Sequence, residues 1–223
     1  MNIVYAVTAN YQAKMMPSLR SLLKHHPDAR VFVLTETDTM DAPVEVINVK
    51  GQKYFPENGP NFKNPYTYIN LLKVAYPEIL NVDRVIHLDA DAIVTDSIEA
   101  MWGTDLGGKW IAAVPEYKGN YHPFGELYYN MGVAVFNLAQ MRADNISPLL
   151  VEYLNAFKQP FADQDSFNHY GLMEDKFVPL DVRFNECFAT GETDHPAIVH
   201  YCGRFDWYED PRIHRRKYLE EYL

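Results

Sequence analysis

Apolar runs that are uninterrupted rather than alternating set the tightest limit on what this chain can fold into. Ile3 to Val7 and Val31 to Leu34 contain no polar position, and Val85 to Leu88 is broken only by His87. A strand with one wet face alternates. A continuous run suits a strand covered on both faces, as in a parallel sheet between layers of helix. The intervening segments agree. Ala13 to Lys24 places Met16, Leu19, Leu22 and Leu23 near helical spacing. His26-Pro27 ends that helix, because the residue before proline avoids helical dihedrals. Strand, helix, strand in this order implies a right-handed crossover. Further strands are predicted over 44–49, 110–114, 132–136, 177–180 and 198–200. Helices are predicted over 66–76, 138–142, 148–157 and 164–169, and 50–64 reads as a polar loop. The expectation is one α/β domain over 1–223 with a mainly parallel central sheet. It ends in a short basic and aromatic tail, 208–223.

Composition removes several function classes. The chain has 223 residues, 48% of them apolar, which is enough for a proper core and too apolar for disorder. Twenty Lys and Arg stand against 30 Asp and Glu, a net charge of −10. That opposes a general nucleic-acid binder, which needs clustered cations. Two cysteines, Cys187 and Cys202, cannot staple a fold this large and are expected to be reduced thiols. The opening MNIVYAVTANYQ lacks a basic segment followed by a long apolar one, and no stretch is long enough to span a bilayer. A cytoplasmic protein is expected, with a peripheral membrane contact as the alternative.

The most informative stretch runs from Arg84 through Asp89-Ala90-Asp91 to Val94. In extended chain, residues i and i+2 share a face, so Asp89 and Asp91 aim two carboxylates at one point. They do so at the end of a buried strand, where α/β sheets bind ligands. Hard oxygen anions suit Mg²⁺ or Mn²⁺ together with substrate phosphates. A turn with two exposed aspartates is the bland alternative. Haloacid-dehalogenase-type phosphatases also carry an Asp-x-Asp after a strand, but theirs sits on the first strand. A second anchor is Ala197 to Trp207, where His200 ends a short apolar strand and Gly203 provides a tight turn. A neutral imidazole can complete a site begun by two carboxylates. Taken alone, His200 also reads as a hydrogen-bonded structural histidine.

Together these pieces resemble glycosyltransferase family 8, the retaining sugar transferases that include glycogenin and bacterial lipooligosaccharide galactosyltransferases. The resemblance runs from Ile3 to about Trp207 in five ordered blocks: Ile3 to Tyr11, Leu88 to Asp91, Tyr129 to Leu138, Asp163 to Asn168, and His200 to Gly203. It implies a GT-A fold and a nucleotide-sugar donor, most often a UDP-sugar. It further implies that Asp89, Asp91 and His200 hold Mn²⁺ (or Mg²⁺) against the donor diphosphate. Ala6, Thr8, Asn10 and Tyr11 would line the base and ribose site, and Ala90 and Gly203 would lie against the donor. Lys73 would be a basic donor contact, with a solvated helix lysine as its bland reading. Asn130, Asp163 and Gln164 would face the transferred sugar. The implied reaction moves a hexose, from UDP-glucose or UDP-galactose, to a glycan, glycolipid or protein acceptor with retention.

Three departures stand out. Met131 replaces the family's serine, Thr8 stands where many bacterial members have aspartate, and the Lys-Pro-Trp after the glycine turn is missing. Arg204 is the candidate to replace the lost cation, since guanidinium grips phosphate well. Residues 50–64 and 116–128 are the expected acceptor loops, with Tyr117, Tyr121, His122, Phe124 and Tyr128 as candidate stacking surfaces or, equally, as ordinary loop packing. Arg212, Arg215, Arg216 and Lys217, interleaved with Ile, Tyr and Leu, suit a weak contact with an anionic membrane surface. Packing of the tail on the domain, with Arg paired to Glu, is the favoured reading, because Glu220 and Glu221 dilute the charge. Two other functions compete: a silent nucleotide-sugar or glycan-binding module, and a sugar nucleotidyltransferase. The second would want a glycine-rich phosphate loop, and Thr8 to Lys14 holds no glycine.

Overall fold

A computed structural model of the chain describes residues 1–63, 67–117, 125, 127–203 and 206–223. β1 (Asn2–Ala6) leads through a 3-10 turn (Ala9–Tyr11) into α1 (Gln12–His25), then β2 (Arg30–Thr35) and β3 (Glu45–Asn48). α2 (Thr67–Leu71), a 3-10 turn (Leu72–Ala75) and α3 (Tyr76–Ile79) precede β4 (Arg84–Leu88) and β5 (Ala92–Val94). α4 (Glu99–Trp102), β6 (Ile111–Pro115) and β7 (Tyr129–Asn137) follow. The chain continues through α5 (Leu138–Ala143), α6 (Ile146–Ala156), α7 (Asp163–Met173) and β8 (Phe177–Pro179). β9 (Ile198–His200) and α8 (Arg216–Glu220) close it.

Seven strands form one sheet in the order β3-β2-β1-β4-β7-β6-β8. All neighbours pair in parallel except β7, which runs antiparallel to both β4 and β6. The uninterrupted runs behave as their pattern requires. Val4 and Ala6 pack into one core with Phe136, Leu150 and Phe167. Ile3 and Tyr5, from the same strand, pack into a second core with Leu19, Leu22 and Met101 on the other face. Each such aliphatic side chain contributes about 1.5–3 kcal/mol by leaving water.

Two expectations change. The helix predicted over 66–76 is two short α-helices joined by a 3-10 turn, with Tyr66 outside the described residues. Pro77 has no N–H to return to Lys73, so the helix cannot run through. The strand at 198–200 does not extend the main sheet. It pairs antiparallel with β5 in a separate two-stranded sheet. The tail packs on the domain, the reading its sequence favours. Ile213, Leu219 and Tyr222 join Ile93, Val199, Tyr201 and Trp207 in a third apolar cluster. Arg215 Nε donates to the fully buried Glu186 carboxylate at 2.8 Å. Among the described residues, no helix is long and apolar enough to cross a membrane.

Candidate active site

β1 and β4 are sheet neighbours, but the chain leaves them in opposite directions, β1 towards β2 and β4 towards β7. Such a reversal opens a crevice at the carboxyl ends of the strands. A cavity of about 480 Å³ lies there. Ala6, Thr8 and Tyr11 line it after β1, and Asp89, Ala90 and Asp91 after β4. Lys73, Asn130, Asp163, Gln164, His200 and Gly203 complete the wall. Asn10 is not on the wall. It is exposed, and its side-chain oxygen accepts from the Thr8 hydroxyl at 2.6 Å. Arg204 lies outside the described residues.

Backbone pairing aims the central groups. Asp89 N–H donates to the Gly132 carbonyl at 2.7 Å, and Ala92 N–H returns to the Asp89 carbonyl at 3.1 Å. This turn ends β4 and starts β5. Ala92 then pairs with His200 across the small sheet, and Tyr201 N–H donates to the Asp91 carbonyl at 3.0 Å. The imidazole is thereby set beside the carboxylates: His200 Nε2 lies 3.4 Å from Asp91 Oδ1 and 3.8 Å from Asp89 Oδ2.

The tautomer of His200 follows from a directional chain. The Glu116 carboxylate only accepts, so Asn130 Nδ2 donates to it (2.9 Å). Asn130 Oδ1 then accepts from Asn185 Nδ2 (2.9 Å) and Gly132 N–H (3.1 Å). Asn185 Oδ1 therefore faces His200 Nδ1 at 2.8 Å and accepts a hydrogen bond from its N–H. In the neutral imidazole the remaining lone pair is at Nε2, turned towards Asp89 and Asp91. Outer partners of this kind fix metal-binding histidines. The Asn130 amide is thus committed to this chain, although its residue lines the cavity.

Lys73 is not a solvated helix lysine. It is 3% exposed and pairs with Asp89 Oδ1 at 3.1 Å and Asp163 Oδ2 at 3.3 Å. Burial opposes its charge, but Asp163 and Asp89 outweigh that and raise its pKa. Asp163 opens α7 from Ala162, whose φ of 50° is costly for a residue other than glycine. Burial pushes the Asp163 carboxyl up to about 6 against the opposing pull of Lys73. Asp89 is half-buried, and Lys73 and the His87 hydrogen bond outweigh its desolvation and hold it well below the usual carboxylate range. His200 would be neutralised by burial alone, but Asp91 pushes it up to about 10. The carboxylates thus call for a positive charge at Nε2.

A divalent ion fits this site. Asp89, Asp91 and His200 offer three ligand atoms within 4.8 Å of one another. The space is kept by Gly132: a Cβ there would stand 2.2 Å from His200 Cε1 and 2.7 Å from Asp89 Oδ2.

Sequence reasoning missed Glu116, Asn185 and the relay behind Asp89. There, His87 Nε2 meets Asp89 Oδ1 at 2.8 Å and Tyr76 Oη meets His87 Nδ1 at 3.0 Å. His87 interrupting an apolar strand was the available signal. Its burial, and then the charge of Lys73, lower it to about 4. An unfolded histidine titrates near 6.5, so the unfolded chain binds the extra proton first. The protein therefore loses up to about 3 kcal/mol as pH falls from 6.5 to 4. Asp163, raised to about 6, acts in the opposite sense between pH 4 and 6. Comparison with His87→Gln isolates the histidine. Urea unfolding across this range should give a flatter stability profile for the variant, and parallel profiles would contradict the assignment.

Among the candidate stacking aromatics, Tyr128 takes the packing alternative. Tyr128 is fully buried and donates to Asp165 Oδ1 at 2.6 Å, so it cannot stack on a sugar. Residues 50–63 do not line the cavity. Asn61 instead ties that loop to the carbonyls of Leu154 and Phe157. Tyr117 is exposed, whereas Tyr121, His122 and Phe124 lie outside the described residues. Phe161 and Phe188, which the sequence did not single out, are exposed on the cavity wall.

Residues 2–206 match the sequence profile of Glycosyl transferase family 8. The chain belongs to that family. Among its relatives, glycosyltransferase GlyA of Streptococcus pneumoniae is 26% identical over 219 residues, 89% of this chain and 31% of GlyA. The family 8 chain thus spans less than a third of GlyA. A putative glycosyltransferase of Haemophilus influenzae is 23% identical over 239 residues, 91% of this chain and 71% of its own length. Galactosyltransferase LgtC, solved with donor and acceptor sugar analogues, superimposes with a TM-score of 0.72 at 25% identity. That match covers all of this chain and 95% of LgtC. The central sheet is the GT-A arrangement that the resemblance implies.

Proposed function

We propose that this family 8 chain transfers a hexose from UDP-glucose or UDP-galactose to a glycan, glycolipid or protein acceptor. The transfer retains anomeric configuration and uses Mn²⁺ held by Asp89, Asp91 and His200. The observation that carries this reading is the convergence of those three ligands and the buried Lys73 on one cavity at the sheet's reversal point. When bound, the ion neutralises charge developing on the leaving diphosphate. Lys73 supplies a second, desolvated positive charge where negative charge grows. Ala6, Thr8 and Tyr11 line the base and ribose end, and Trp207 Nε1 fixes the Tyr11 hydroxyl at 2.8 Å. Gln164 is locked between Met131 N–H (2.9 Å) and Glu116 (3.2 Å), which holds the sugar-facing wall in place beside Asp163. Breaking the sugar–phosphate bond gives an oxocarbenium-like centre. The leaving phosphate can take the acceptor's proton, so the step needs no protein nucleophile. Phe161 and Phe188 offer aromatic faces for the acceptor.

Thermal shift and a donor-hydrolysis panel test this. UDP at about a hundred times its dissociation constant stabilises by about 2.7 kcal/mol, roughly 5–10 °C for a chain of this size. That shift should require Mn²⁺. Among UDP-glucose, UDP-galactose and their N-acetyl forms, one of the unsubstituted hexoses should be hydrolysed fastest. Absence of both the Mn²⁺-dependent shift and hydrolysis would overturn the transferase reading, and a shift without hydrolysis would favour the silent binding module.

A further inference from the structure

Beyond the carboxylate set, a second group of metal-ligating side chains meets at His200. We propose that Cys187, Cys202 and His200 form a thiophilic metal site that shares its imidazole with Asp89 and Asp91. A soft ion such as Zn²⁺ on the thiolates and a hard ion on the carboxylates would then exclude one another. Only the exclusion rests on the reading of the carboxylate site given above.

The two Sγ atoms and a ring nitrogen of His200 lie within 4.8 Å of one another. With Zn–S near 2.3 Å and Zn–N near 2.0 Å, the edges of a tetrahedral site are about 3.5–3.8 Å. Shifts of about 1 Å close the set. Cys187 is 4% exposed and held by its backbone: Gly191 N–H donates to its carbonyl at 2.8 Å, and its own N–H donates to Thr190 Oγ1 at 3.2 Å. The Thr190 hydroxyl, which donates to the Asn185 carbonyl, also lies 3.3 Å from the sulfur and accepts from its S–H. Cys202 is half-buried on the cavity wall, so an ion reaches the sulfurs through the cavity.

Two sulfurs and one imidazole make a three-ligand set with a fourth position open. Thiolates select soft and borderline ions, whereas two carboxylates and an imidazole suit Mn²⁺ or Mg²⁺. Binding is an exchange without oxidation: two S–H bonds and the Nε2–H bond of the charged imidazole break, two metal–sulfur bonds and one metal–nitrogen bond form, and three protons pass to solvent. The exclusion follows from the imidazole. With Nδ1 donating to Asn185, His200 keeps one lone pair, at Nε2, and one lone pair serves one ion.

Co²⁺ is the probe, on the full chain with its thiols reduced. Wild type should bind one equivalent with a thiolate-to-cobalt charge-transfer absorption that Zn²⁺ abolishes. Cys202→Ala and Cys202→Ser, each melting close to wild type, should lose that absorption. Asp91→Asn should keep it. A cobalt-saturated wild type without the band, or a band that survives in both Cys202 variants, overturns the thiolate site. For the exclusion, one equivalent of Zn²⁺ should release bound Mn²⁺ from wild type, read as free Mn²⁺ by electron paramagnetic resonance. Cys202→Ala should need at least about tenfold more Zn²⁺. Simultaneous binding of both ions overturns the exclusion. Failure of wild type to bind Mn²⁺ at all overturns the carboxylate reading and the exclusion with it. The cobalt band still reports the thiolate site independently.

Discussion

Asp91→Asn should lower Mn²⁺-dependent hydrolysis of the sugar nucleotide by about 100-fold or more while leaving the melting temperature within a few degrees of wild type. Asparagine keeps the size of the side chain and one oxygen but loses the charge. The imidazole 3.4 Å away would then face one carboxylate instead of two. A divalent ion loses a charged ligand, and even outer partners of metal ligands are worth 10–100-fold in affinity or activity. Folding should suffer little, because Asp91 is partly exposed and lies beside a second carboxylate whose repulsion is relieved. Titration calorimetry with Mn²⁺ should show the same loss as the kinetics. Full activity in Asp91→Asn would remove this residue from the site.

Gly132→Ala is expected to be as damaging to metal binding, by geometry rather than charge. The added carbon falls 2.2 Å from His200 Cε1, 2.8 Å from Nε2 and 2.7 Å from Asp89 Oδ2. None of these can yield cheaply. The imidazole is 2% exposed and tied to Asn185, and Asp89 is held by Lys73 and His87. Gly132 itself lies within β7, where its neighbour Val133 is paired with Leu88. Overpacking of this kind costs about 1–3 kcal/mol. The melting temperature should therefore fall by roughly 2–12 °C, and Mn²⁺ affinity should drop by about 100-fold or more even where the protein is fully folded. A variant that binds Mn²⁺ as wild type does would show that His200 is not a ligand.

Much of the fold was legible because its signals are local. The continuous runs of β1, β2 and β4 announce strands covered on both faces, and residues of β1 do enter two different cores. Asp89 and Asp91 share a face by the two-residue repeat of extended chain, and Asp163 stands at a helix start. The failures are equally local in origin. The break at Pro77 needed the missing hydrogen bond to be counted. Neither the aromatic character of Tyr128 nor the polarity of 50–63 says which wall a segment docks against. Glu116 was read as the start of a loop, and Asn185 carried no signal of its own. Each matters only through a partner distant in sequence.

The sequence by itself determined the alternation of strands and helices, the burial of the sheet, and the paired carboxylates at the end of β4. Each depends on residues within a few positions of one another, where side-chain periodicity and backbone preference act. Tertiary structure alone decided that β5 pairs with β9, which sets His200 beside Asp91. It also decided that Lys73 is sealed between two carboxylates and that the chain from Glu116 to Asn185 turns the imidazole. Those outcomes depend on pairing and desolvation between segments far apart in the chain. No local pattern encodes them, because the free energy of each contact exists only once the sheet has brought both partners to the same crevice.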